Sequence, residues 1–171
     1  MITETYAEEV KGILARYPDP KSAALPLMHL AQREHGYMSK AAMHEVAEIL
    51  GLDPTHILSL AGFYTLYHEE PVGKYVLEVC DDLACDLRGA SDLVNMLKDK
   101  LDVEVGGTTA DNLFTLKTVM CLAACDKAPM LQCNLAYHEK LDEAKVDKLI
   151  ADIRAGKDET AVVDKIAAYA K

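Results

Sequence analysis

Lys74-Tyr75-Val76-Leu77-Glu78-Val79-Cys80-Asp81-Asp82-Leu83-Ala84-Cys85 is the stretch that decides how this chain folds. Its first seven residues alternate and are rich in Val and Tyr, which reads as a strand. The strand runs into one cysteine, and a second follows after four intervening residues. The pattern recurs downstream. Leu113 to Val119 alternates again and leads into Cys121-Leu122-Ala123-Ala124-Cys125. Residues 86–120 between the pairs are long enough for a helix and a returning strand, so two cysteine loops can face each other. Four convergent thiolates form a closed set of soft ligands, suited to a metal ion or an iron–sulfur cluster.

The same unit continues on both sides of the cysteines. Leu87 to Leu101 reads as a helix, Gly106-Gly107 as a turn, and Pro129 to Cys133 as a further short strand. Asp142 to Arg154 is an amphipathic helix with Val146, Leu149, Ile150 and Ile153 inward and Gly156 as its stop. The order strand–helix–strand–strand–helix predicts a compact α/β domain over residues 73–157. The composition break is Glu69-Glu70-Pro71-Val72-Gly73. Before it, residues 1–72 read as a bundle of four short helices. Tyr6, Val10, Ile13, Leu14 and Tyr17 recur at helical spacing up to Pro18. Leu25, Met28, Ala31 and Gln32 follow, up to Gly36. Ser39 is an N-cap for a third helix ending at Gly51, and Asp53-Pro54 starts a fourth. Phe63, Tyr64 and Tyr67 suit either helix packing or a partner surface. Residues 158–171 place Val162, Val163, Ile166 and Tyr169 on one face, so this tail is either a docking helix or a frayed terminus.

Half of the 171 residues are apolar, enough for a core, and the net charge is −10. That charge argues against nucleic-acid binding. No apolar run approaches the roughly 18 residues of a membrane span, so no direct membrane insertion is expected. Met1 to Val10 has neither a signal-peptide nor an Arg-rich transit pattern. A bacterial-type cytoplasmic protein, or a processed organellar one, fits these features.

Five cysteines is an odd number for a secreted disulfide scaffold, and the clustered four point to metal or redox chemistry. Cys133 stands apart and reads as a buried thiol in a strand. Structural zinc tolerates an x4 pair with an x3 pair, but it mostly serves small domains that lack a core. A thioredoxin redox site needs C-x-x-C, which is absent. Plant-type ferredoxin needs a further ligand where Arg88 stands. A [2Fe–2S] rhomb has two irons that each take two protein ligands, and two pairs meet that need. The histidines His29, His35, His44, His56 and His68 lie in or beside the helical half, so a Rieske set has little support. His138 is the sixth.

Cys80-Asp-Asp-Leu-Ala-Cys85 with Asp86-Leu87-Arg88-Gly89-Ala90 resembles the first cluster loop of the 24-kilodalton-type subunit of respiratory NADH dehydrogenase (complex I). Cys121-Leu-Ala-Ala-Cys125-Asp-Lys-Ala-Pro129-Met130 resembles its second. The likeness extends upstream through Gly62-Phe63-Tyr64-Thr65-Leu66-Tyr67 and Pro71-Val72-Gly73-Lys74-Tyr75. Downstream it includes Gln132, Asn134, Tyr137 and Lys145-Val146-Asp147-Lys148-Leu149. The resemblance implies an α+β chain: an N-terminal helical bundle followed by a thioredoxin-like [2Fe–2S] ferredoxin domain. It implies one [2Fe–2S] cluster on Cys80, Cys85, Cys121 and Cys125, with no catalytic residue of its own.

No G-x-G-x-x-G follows a strand and there is no P-loop. The resemblance accordingly places FMN and NADH on a flavin-containing NADH-binding partner subunit. It also implies the peripheral arm of a membrane-bound NADH:quinone oxidoreductase, on the cytoplasmic side. The equivalent subunit of an NAD-linked hydrogenase or formate dehydrogenase stays open, as do homodimerisation of the isolated chain and a structural four-cysteine zinc module. Met120 stands where this family often has a glutamate, and Ala123-Ala124 where a Gly-containing pair is commoner. Both bear on redox potential rather than cluster type. The cluster with four thiolates carries about −2 oxidised and about −3 reduced, so Arg88 and Lys127 are candidates to favour the reduced form.

Overall fold

The computed structural model describes residues 1–157, so the tail 158–171 lies outside the described residues. The chain divides after Pro71 into two compact units.

The first unit is helical: α1 (Ile2–Thr5), α2 (Ala7–Leu14), a 3₁₀ turn over Pro20–Ala23, α3 (Ala24–His35), α4 (Lys40–Leu50) and α5 (Pro54–Phe63). The helix expected over Tyr6 to Tyr17 spans only Ala7–Leu14, and α1 before it is an element the sequence reading lacks, set apart by Tyr6, whose backbone leaves the helical region. The other boundaries follow their caps. Ser39 accepts from the Ala42 N–H at 3.1 Å, and Asp53 accepts from the Thr55 N–H at 2.8 Å. Gly36 and Gly51 close α3 and α4 in the left-handed conformation that lacks a Cβ penalty. Ile2, Leu27, Met28, Met38, Val46 and Ile57 are fully buried in this core. The aromatic group splits. Tyr67 is buried, with its hydroxyl donating to the Leu25 carbonyl at 2.9 Å, whereas Phe63 and Tyr64 are exposed.

The second unit contains β1 (Tyr75–Cys80), α6 (Leu83–Asp86), α7 (Ala90–Leu101), β2 (Phe114–Val119), β3 (Leu131–Cys133), β4 (Ala136–His138) and α8 (Glu143–Arg154). The sheet order is β2-β1-β3-β4. β1 and β2 are parallel, in the register Leu77 opposite Leu116. β3 runs antiparallel to β1, and β4 antiparallel to β3. Tyr75, Leu77, Val79, Phe114, Leu116, Leu131 and Cys133 share one core with Leu93, Leu97 and Leu101 of α7 and Val146, Leu149, Ile150 and Ile153 of α8. Side chains alternate across a strand, so both helices cover the same face of the sheet. β1 is buried along its whole length, on both faces.

Two features differ from the sequence reading. The helix expected from Leu87 begins only at Ala90, because Gly89 sits at φ +96° and separates it from the one-turn α6. β4 is an element the sequence reading lacks. Its hairpin turns through Asn134 at φ +52° with no glycine to announce it. The Asn134 side chain replaces a missing stretch of ladder on β1. Its Oδ1 accepts from the Val76 N–H at 2.9 Å and its Nδ2 donates to the Lys74 carbonyl at 3.2 Å.

Gly73 admits β1 to the sheet. A Cβ there would lie 2.7 Å from the Phe114 carbonyl carbon, and the Gly73 N–H donates to Thr115 Oγ1 at 2.6 Å. Gly73→Ala is expected to cost about 1–3 kcal/mol, as overpacking against backbone does. Urea unfolding followed by circular dichroism measures it, and an unchanged midpoint would refute this reading of the contact. Among the described residues, no helix is long and apolar enough to cross a membrane.

Candidate metal centre

Parallel pairing of β1 with β2 puts both cysteine loops at one end of the sheet. Cys80 is the last residue of β1 and stands opposite Val119, the last of β2. The chain ends are then tied together. The Asp81 N–H donates to the Val119 carbonyl at 3.1 Å, and the Cys80 thiol donates to the Met120 carbonyl at 3.8 Å.

Cys85, expected in a loop, lies inside α6. Asp82 caps that turn, accepting from the Leu83 N–H at 2.9 Å. One turn of helix carries Cys85 back toward Cys80. Both are buried in a small cluster with Ala90, Ala124, Ala128 and Met130. The second pair is more open. Cys121 and Cys125 are exposed, and Cys125 begins a 3₁₀ turn. Ala123 sits at φ +55° and turns its N–H onto Cys121 Sγ at 3.3 Å. That conformation explains why a glycine suits this position.

None of the five cysteines is in a disulfide. Burial pushes the Cys85 thiol up to about 12, with further increments from a hydrogen bond with Cys80 and from the charges of Cys80, Cys125 and Cys121. One sulfur therefore senses the other three, and the Cys85 thiol resists ionisation until a cation is among them. A metal core supplies that charge, and binding it releases the protons. The donor set thus fits a thiolate-held cluster. Cys133 belongs elsewhere: it is buried in β3, facing α7 and α8. Among the described residues, no group of three or more His, Cys, Asp or Glu is arranged round a single ion.

β4 and the turn after it brace the second cysteine loop. The Tyr137 hydroxyl donates to the Leu122 carbonyl at 2.7 Å. The Lys140 N–H donates to the Lys127 carbonyl at 2.8 Å, and the Leu141 N–H to the Pro129 carbonyl at 2.9 Å. Lys127, read from sequence as a candidate counter-charge to the cluster, already pairs with Glu139 at 2.7 Å, and that contact raises its ammonium above the ordinary lysine value. Arg88 is exposed just after α6. Tyr137→Phe removes one hydrogen bond, worth about 0.5–1.5 kcal/mol. Amides of residues 121–125 are then expected to exchange roughly 2–10-fold faster by mass spectrometry. Unchanged exchange would show that the hydroxyl does not brace the loop.

Glu78, two residues before Cys80, is buried between Lys117 of β2 and Gln132 of β3. Burial raises its carboxyl above the ordinary glutamate value, with Lys117 opposing in part. A folded-state pKa above the unfolded one contributes stability at low pH that is lost as pH rises through the folded value. Glu78→Gln lacks that loss. It is expected to be more stable than the parent at about pH 8, with the difference gone or reversed near about pH 4. Urea midpoints at both pH values check the sign, and a constant difference would contradict it.

A family model described as thioredoxin-like [2Fe–2S] ferredoxin matches residues 10–154. An NADH-quinone oxidoreductase subunit of Rhizobium meliloti is 43% identical over 158 residues, covering 92% of this chain and 94% of that protein. NADH-quinone oxidoreductase subunit 2 of Thermus thermophilus is 38% identical over 146 residues, covering 84% and 81% respectively. The mitochondrial NADH dehydrogenase [ubiquinone] flavoprotein 2 of Dictyostelium discoideum is 39% identical over 158 residues, covering 91% of this chain and 64% of that protein. Among solved structures, a chain of the air-oxidized NAD+-reducing [NiFe]-hydrogenase superposes with a TM-score of 0.66 at 25% identity. The match covers 76% of this chain and only 23% of that one.

Proposed function

The chain belongs to the thioredoxin-like [2Fe–2S] ferredoxin family, and on that premise we propose that Cys80, Cys85, Cys121 and Cys125 hold one [2Fe–2S] cluster in an electron-transfer subunit of an NADH:quinone oxidoreductase. The observation that carries this reading is the meeting of two cysteine loops at one end of β1 and β2, with no disulfide among the four cysteines. When bound, the cluster supplies a one-electron couple. The chain's part is to hold it. Cys80 and Cys85 anchor it in the apolar cluster, and Cys121 and Cys125 lie at the surface, where an electron can pass.

FMN and NADH belong on the partner in this reading. The partner accepts a hydride from NADH and passes single electrons to the cluster. Relatives named as NADH-quinone oxidoreductase subunits, matched over most of their length, favour the respiratory complex and its peripheral arm. The hydrogenase superposition supports a second reading, the equivalent module of an NAD-linked hydrogenase.

The test is reduction by NADH. The purified chain mixed anaerobically with the FMN-loaded flavoprotein subunit should show the EPR signal of its reduced cluster when NADH is added, and NADH without the flavoprotein should leave that cluster oxidised. A cluster that dithionite reduces but NADH plus flavoprotein does not would overturn the flavin exchange.

A further inference from the structure

Lys127 is the cation of the second cysteine loop. It stands two residues after Cys125 in the same 3₁₀ turn, and two residues of such a turn rise only about 4 Å. A positive charge is therefore placed beside a ligand. The backbone of Lys127 is fixed there. Its N–H donates to the Ala124 carbonyl at 2.9 Å, and its carbonyl accepts from the Lys140 N–H at 2.8 Å. The ammonium is not left to the site. Nζ lies 2.7 Å from Glu139 Oε1, in a pair whose side chains are 42% and 38% exposed.

A half-exposed ion pair of this kind adds little to stability. The loop has other ties: the Tyr137 hydroxyl donates to the Leu122 carbonyl, and the Leu141 N–H to the Pro129 carbonyl. Neutralising Glu139 leaves all of these backbone ties in place. What the pair changes is charge. Reduction takes the cluster with its four thiolates from about −2 to about −3, and an uncancelled cation nearby favours that step. Glu139 cancels the cation, and exposed Asp126 adds a negative charge to the same turn.

Resting on the electron-carrier reading, we propose that Glu139 is a positioning residue that sets the reduction potential, holding the Lys127 ammonium in a neutral pair so that the cluster is harder to reduce. Glu139 acts only through Lys127. Its effect on the potential is therefore tied to that lysine and to charge, not to the shape of the loop.

The experiment is an EPR-monitored redox titration of the full, cluster-loaded chain in four forms: parent, Glu139→Gln, Lys127→Gln and the double variant. Glu139→Gln should favour the reduced form by roughly threefold, an upward shift of about 28 mV at about 59 mV per tenfold for one electron. Lys127→Gln should shift the midpoint downward by a similar factor. The double variant has a neutral pair again and should return to the parent value. Raising salt from about 50 mM to about 500 mM should shrink both single shifts, since half-exposed charges are screened. A loop merely loosened by either substitution would move both single variants in one direction, keep the shift in the double variant and ignore salt. That pattern, an unchanged midpoint in Glu139→Gln, or loss of its cluster signal would each overturn the role given to Glu139. With the [2Fe–2S] signal present in the parent, those results would leave the carrier reading standing. A parent chain without that signal would sink both.

Discussion

Cys85→Ser is expected to leave a folded chain that cannot retain its cluster. Iron content and visible absorbance should collapse, whereas Cys133→Ser should keep both. Serine cannot supply a soft anionic ligand at neutral pH. Loss of a partner that merely supports a ligand already costs about 10–100-fold in metal affinity, so loss of a ligand costs more. Cys85 is the most telling choice because it is buried against Cys80 and its thiol senses the other three. Nothing from solvent reaches it easily to take its place. Cys133 lies under the helices on the other face of the sheet. The expectation there is a modest loss of stability from a buried hydroxyl, about 1–3 kcal/mol, with the cluster spectrum unchanged. Equal loss of iron from both variants would mean that the four cysteines are not a separate set.

Phe114→Ala should produce the largest purely structural effect. Phe114 opens β2, is fully buried, and packs its ring 6.2 Å from that of Tyr75, its register partner on β1. Thr109 clasps its backbone, with Thr109 Oγ1 accepting from the Phe114 N–H at 3.0 Å. Truncating a buried phenylalanine costs about 3–5 kcal/mol through lost transfer energy and the cavity left behind. That is a large share of the roughly 5–15 kcal/mol that keeps a domain folded. The thermal midpoint should drop on the order of 10 °C, with earlier loss of the cluster on warming, since β1 and β2 deliver the two loops. A drop no larger than that of a surface substitution would show that the strand pair is held by something else.

What the sequence made legible followed from periodicity and caps. Ser39, Asp53, Gly36, Gly51, Asp142 and Gly156 mark real helix ends because each supplies a specific hydrogen bond or a left-handed backbone. Both cysteine pairs were readable at strand ends because the alternation of Lys74 to Cys80 and Leu113 to Val119 stops there. Three things were not readable. α6 is a single turn, too short to show a period, so Cys85 looked like a loop residue. β4 is three residues long and enters through an asparagine rather than a glycine turn. The bracing of the second loop by Tyr137 depends on tertiary proximity to Leu122, and only a resemblance singled that tyrosine out. The pairing of Lys127 was not readable either, because Glu139, twelve residues on, meets it only through the fold.

The most direct test of the central claim is an anaerobic visible and EPR spectrum of the purified full-length chain, with iron and sulfide assays, before and after dithionite. A reddish-brown protein is expected, with about two iron and two sulfide per chain. Dithionite should add about one electron and bring up the rhombic signal of a reduced [2Fe–2S] centre. A colourless protein carrying about one zinc per chain, or a Cys80–Cys85 or Cys121–Cys125 disulfide in place of iron, would contradict the account.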